Sequence, residues 1–127
     1  MKRRRSAARA ARQRPPPEER RENALRPCAA LGYDRDRLAL YMLEHGLYEM
    51  AEAQLRRAVW LNPYEPGFKS HLAYCLHVQN KNEEARDWAT KSLEQREAPD
   101  TRRLLEIIGR RQEERGDRAE SRNNETR

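Results

Sequence analysis

The residues of this 127-residue chain that could do chemistry are three histidines, two cysteines and a dense set of carboxylates, and their spacing limits what they can do. His45, His71, His77, Cys28 and Cys75 show no zinc-like spacing, and His71 and His77, six apart, fall on different faces of a helix. None of the five glycines sits in a phosphate-cradling loop, and neither cysteine has a histidine at a position suggestive of nucleophilic catalysis. Cys75 reads as a buried, inert thiol. The carboxylates are interleaved with arginine, as in Glu83-Glu84-Ala85-Arg86-Asp87 and Arg110-Arg111-Gln112-Glu113-Glu114-Arg115. That is the pattern of solvated helix faces with weak ion pairs. The expectation is a protein that is not an enzyme and holds neither metal nor cofactor.

A different chemistry is open to the amino-terminal arm. Residues 1–30 carry Lys2 and nine arginines against Glu18, Glu19 and Glu22, a balance of +7, which leaves the remaining 17 basic and 18 acidic residues at −1. The basic character therefore belongs to the arm. Lys2, Arg3, Arg4, Arg5, Arg9, Arg12 and Arg14 could neutralise phosphates, whereas the absence of an aromatic residue among the first fourteen leaves nothing to stack on bases. Arg and Ala, then Pro15-Pro16-Pro17, give a segment of low apolar content, so residues 1–27 are expected to be disordered.

Cys28 and Cys75 lie 47 apart with no Cys-x-x-Cys partner, which argues for reduced thiols in a cytoplasmic protein. Arg9, Arg12 and Arg14 stand where a secretory signal would need an apolar stretch, and no run approaches the roughly 18 apolar residues of a membrane span. The chain is expected to be soluble.

The elements that would position these groups are helices. From Asp34, Leu38, Ala39, Met42 and Leu43 recur at three- and four-residue steps until Gly46. Met50, Ala51, Leu55, Ala58, Val59 and Leu61 follow with the same period and end at Asn62-Pro63, so the two helices form a hairpin. That hairpin recurs after 34 residues: Leu38 maps to Leu72, Ala39 to Ala73, Gly46 to Asn80, Ala51 to Ala85, Ala58 to Ser92 and Val59 to Leu93. A fixed period of this size means stacked helical hairpins, none able to bury its apolar face alone. A third unit starts after Pro99, where Asp100 or Thr101 can cap a helix bearing Leu104, Leu105, Ile107 and Ile108. Its register is shifted by two, since Gly109 stands 36 residues after Ala73. Beyond Gly116 the sequence is too polar for a core helix, so this unit is expected to be one closing helix of about residues 100–115, followed by a disordered tail over 117–127.

The segment Gly46-Leu47-Tyr48-Glu49-Met50-Ala51, continuing through Ala58, Val59 and Leu61 to Asn62-Pro63, resembles the second half of a tetratricopeptide repeat. Leu38-Ala39 is similar to that family's leucine and small residue, with Arg35 in place of its usual tryptophan. In the second repeat Asn82 takes the aromatic position, Ser92 the last alanine and Glu97 the proline; Trp88 is expected to fill the volume that Tyr48 fills in the first. The resemblance implies an all-α fold, a short right-handed solenoid of two repeats, about residues 32–65 and 66–99, plus the closing helix, within a domain spanning residues 28–116. The small residues fit close helix crossings, and Gly46 and Asn80 can take the left-handed conformation that ends a helix.

The resemblance also implies a function, a non-catalytic adaptor that holds a peptide or helical segment of another protein in the concave groove. Carried over by helical phase, that groove presents Asp36, Leu40, Leu43, Glu44, Ser70, Tyr74, His77, Val78 and Arg110. Its mixed apolar and polar lining suits a segment with hydrophobic anchors. The carboxylate-clamp subtype is disfavoured, because Asp36 and Leu40 stand where lysine and asparagine would be needed. Trp60, on a face expected to be solvated, is expected to pack residues 24–31, with a second partner contact as the alternative. Two further readings stay open: nucleic acid held by the arm, and a homo-oligomer seamed at Leu104, Ile107 and Ile108.

Overall fold

The computed structural model describes residues 29–125. Among them are five α-helices and no strand: α1 Leu31–Glu44, α2 Tyr48–Leu61, α3 Pro66–Val78, α4 Asn82–Gln95 and α5 Pro99–Glu125. The basic arm and Cys28 lie outside the described residues. The helices pack in chain order, α1 on α2, α2 on α3, α3 on α4 and α4 on α5, with lesser contacts of α3 to both α1 and α5. The result is two antiparallel hairpins and a fifth helix arranged as a repeat-like stack.

The two hairpin turns are built alike. In the first, the Leu47 N–H donates to the Met42 carbonyl at 2.9 Å and the Gly46 N–H to that of Leu43 at 3.2 Å, with Gly46 at φ +73°. In the second, Lys81 donates to Leu76 at 2.9 Å and Asn80 to His77 at 3.0 Å, with Asn80 at φ +63°. This is the Schellman ending, in which one left-handed residue lets two amides satisfy the last carbonyls of the helix. Glycine and asparagine are the residues that reach that region at least cost.

One core runs through all five helices: Ala39 and Met42 from α1, Ala51 and Leu55 from α2, Leu72, Cys75 and Leu76 from α3, Ala85 from α4 and Ile108 from α5. Leu43, Val59, Trp88 and Leu104 pack against it. Ala39, Ala51, Ala73 and Ala85 are fully buried, which is where the helices of each hairpin approach most closely.

The structure corrects four sequence expectations. Leu38 and Met50, read as part of the apolar stripe, are 41% and 54% exposed. Leu72, the equivalent of Leu38, is buried, but among the described residues α1 contacts only α2 and α3, so nothing there takes the place that α2 takes against α3. The third unit does not start at a cap after Pro99: Pro99 is itself the first helical residue, suited to that place because its missing N–H has no partner to lose. Thr101 is buried inside the first turn and exchanges a 2.7 Å hydrogen bond with Ser70. Finally, α5 runs on to Glu125 instead of ending near residue 115. Residues 113–125 are exposed throughout, so the helix continues without burial. Opposite charges at four-residue spacing, Arg110 with Glu114 and Glu114 with Arg118, favour continuation, and one internal glycine, Gly116, costs only about 1 kcal/mol.

Glu52 links α2 to the turn between α3 and α4. Its carboxylate, 16% exposed, accepts from Lys81 Nζ at 2.9 Å, Gln79 Nε2 at 3.1 Å and Arg56 Nε at 3.2 Å. Burial alone would raise its pKa, but the hydrogen bonds from Lys81, Arg56 and Gln79 outweigh that and hold it below the ordinary value. A carboxylate with a depressed pKa stabilises the fold above its unfolded pKa, and that contribution is lost as pH falls through the folded one. Glu52→Gln is therefore expected to cost about 1 kcal/mol at pH 7. In chemical denaturation the gap between variant and parent should close as pH drops below about 4. A pH-independent gap would mean that packing, not charge, is what Glu52 contributes.

Candidate functional site

The residues expected to line the groove are distributed over several environments. Ser70 and Tyr74 line an open depression of ≈350 Å³ between α3, the end of α4 and the start of α5, together with Pro66, Gly67, His71, Ser92, Arg96, Ala98, Asp100, Thr101 and Leu104. Tyr74 is 49% exposed there. Leu40, at the equivalent position one hairpin earlier, is half-buried. Three expected members are not openly exposed: Asp36 and His77 are buried, and Leu43 packs against the core. Glu44 and Arg110 are exposed and Val78 is half-buried, but none of the three lines the depression.

The discrepancy is one of helical phase. On α3 the depression takes Gly67, Ser70, His71 and Tyr74, a stripe at steps of three, four and seven. His77 points instead toward the start of α4, where its Nδ1 lies 3.3 Å from Asn82 Oδ1. Asn82 stands where the first repeat has Tyr48, and it is buried, with its Nδ2 unpartnered. Trp88 is half-buried against the core.

Polar groups in and beside the depression are tied up by one another. His71 Nδ1 lies 2.7 Å from Asp36 Oδ1, which joins α3 to α1 and explains why Asp36 is buried rather than offered to a ligand. Ser70 and Thr101 satisfy each other across α3 and α5, and Ser92 Oγ donates to the Pro66 carbonyl at 2.9 Å. Sequence reasoning missed His71, Arg96, Thr101 and Leu104. Asp36 and His71 are 35 residues apart, one more than the repeat period, so the period places them at neighbouring positions of adjacent first helices without marking them as a pair.

Cys75 is fully buried, its thiol donating to the Tyr48 carbonyl at 3.2 Å. Burial pushes the thiol pKa up, which keeps it protonated and unreactive at neutral pH. Trp60 is 40% exposed with the Arg57 guanidinium 4.2 Å above its ring; most of residues 24–31, its expected packing partner, lie outside the described residues. Ile108, expected at an oligomer seam, is buried in the core, while Ile107 is exposed. Among the described residues no three His, Cys, Asp or Glu side chains gather as a metal site would require, and no helix is long and apolar enough to cross a membrane. No protein-family model matches the sequence, and no curated protein matches it.

Proposed function

We propose that the chain is a short solenoid of the tetratricopeptide type that works as an adaptor, holding a segment of another protein along the face shared by α1, α3 and α5. The observation that carries this reading is the depression between α3 and α5, because it is concave, lies between the first helix of the second hairpin and the helix that follows that hairpin, and exposes half of Tyr74 beside the paired polar groups Ser70, Thr101 and His71. A surface of that kind offers aromatic area whose neighbours Ser70, His71 and Thr101 already have hydrogen-bond partners, which favours burial by a partner. The 34-residue period and the paired turns at Gly46 and Asn80 support the family reading.

The test is affinity capture with the intact chain and with a Leu40→Glu, Tyr74→Ala double variant whose helicity is checked by circular dichroism. A specific protein is expected to be lost with the variant. A second reading rests on the segregation of charge: residues 1–30 carry +7 while the remainder stands at −1. If both forms retain the same partners, or recover mainly nucleic acid, the function moves to the arm. Seven phosphate contacts would then give a slope near −6 in log affinity against log salt, at about −0.9 per contact.

A further inference from the structure

The two interfaces between successive units use equivalent positions, yet one is filled and the other is open. A shift of 34 residues carries Gly32, Tyr33 and Ala58 onto Pro66, Gly67 and Ser92. In α5 the shift is 36, which places the fully buried Leu72 on the fully buried Ile108, and so Phe68 on Leu104. In the first interface Phe68 is buried edge-on to Tyr33, with ring centroids 5.0 Å apart at 70°. It fills the space beside Gly32 so tightly that a Cβ there would lie 2.9 Å from Phe68 Cε2. In the second interface both rings are missing, Gly67 replacing Tyr33 and Leu104 replacing Phe68. Pro66, Gly67, Ser92 and Leu104 are lining residues of the ≈350 Å³ depression.

We propose that this depression is a socket for an aromatic side chain of a partner protein, with an acidic neighbour of that residue meeting Arg96. The proposal rests on the groove reading above and names what the groove grips. The molecule holds an aromatic pair at the equivalent place in its first interface; there Gly32 leaves room for the Phe68 ring, whereas its counterpart here, Pro66, carries a side chain, so what is offered to a guest is the space vacated by the Tyr33 and Phe68 side chains. The volume is at the low end for ligand sites, enough for an anchor and not for a large ligand. Ser70 and Thr101 satisfy each other, so the wall asks for no polar atom from the guest. Charge selects the flank: Arg96 is 66% exposed and its nearest carboxylate, on Glu65, is 3.7 Å away, beyond a good hydrogen bond. Asp100, the other charged lining residue, lies in the first turn of α5, where the helix terminus offsets its charge.

The test is an NMR titration of the full chain with two blocked tripeptides, acetyl-Glu-Phe-Glu-amide and acetyl-Glu-Ala-Glu-amide. The phenylalanine peptide is expected to shift the amides of Ser70, Tyr74, Thr101 and Leu104, with the alanine peptide weaker by about tenfold or more. Arg96→Gln is expected to weaken binding about threefold at low salt and little at high salt. Leu104→Phe, which puts a ring into the socket from within, is expected to abolish it. Equal shifts from both peptides, or shifts away from α3 and α5, would overturn the proposal, and that contrast needs no variant to fold. If the peptides fail while the Leu40→Glu, Tyr74→Ala variant still loses its captured partner, the socket is wrong and the groove stands.

Discussion

Phe68→Ala is expected to lower the stability of the domain by about 3–5 kcal/mol, the largest effect of any single substitution considered. Phe68 is 2% exposed and is the bulkiest of the fully buried side chains. Its ring joins the first turn of α3 to Gly32 and Tyr33 at the start of α1, a place where no other large apolar residue substitutes for it. Truncation removes the transfer term, leaves a cavity and forfeits the edge-to-face contact with Tyr33, itself about 0.5–1.5 kcal/mol. A domain of this size has a total stability of roughly 5–15 kcal/mol, so the thermal midpoint should fall by roughly 15–30 °C. Phe68→Leu is expected to cost less, about 1.5 kcal/mol or below. The reason is internal: α5 carries Leu104 at the corresponding position and still packs. Equal losses for the alanine and leucine variants in urea denaturation would mean that the ring contributes through shape alone, and that the first interface is not a filled version of the second.

How much of this was legible beforehand depends on the range of each interaction. The turns at Gly46 and Asn80 were readable because a helix ending is decided within six residues, and so were the small residues Ala39, Ala51, Ala73 and Ala85, which recur at the repeat period. Leu38 was misread because periodicity marks an apolar face without saying whether a neighbour covers it; the same face is buried at Leu72 and bare at Leu38. The polar pairs Asp36–His71 and Ser70–Thr101 join different hairpins, and nothing local distinguishes them from solvent-facing side chains. The course of α5 to Glu125 was misjudged for the opposite reason. Lack of apolar residues argues against a core helix, but spaced opposite charges suffice for an exposed one.

Gly32→Val carries the second large effect, an expected loss of about 2–3 kcal/mol. Any glycine in a helix costs about 1 kcal/mol against alanine, so a substitution that adds a side chain should help unless space forbids it. Here it does: the first added carbon would stand 2.9 Å from Phe68 Cε2 and 3.3 Å from the Ala58 carbonyl oxygen. The ring is buried and held edge-on by Tyr33, and the carbonyl belongs to α2, so neither can yield without disturbing a helix. Valine adds two methyls to that clash and a stiff χ1 that cannot rotate all of them away. The decisive measurement is a double-mutant cycle using the milder Gly32→Ala. In the parent it is expected to destabilise by about 1 kcal/mol; in a Phe68→Ala background, with the ring gone, the sign should reverse as helix propensity takes over. Should Gly32→Ala destabilise equally in both backgrounds, the obstruction would lie with the α2 carbonyl, and the fit between Gly32 and Phe68 would not be what closes the first interface.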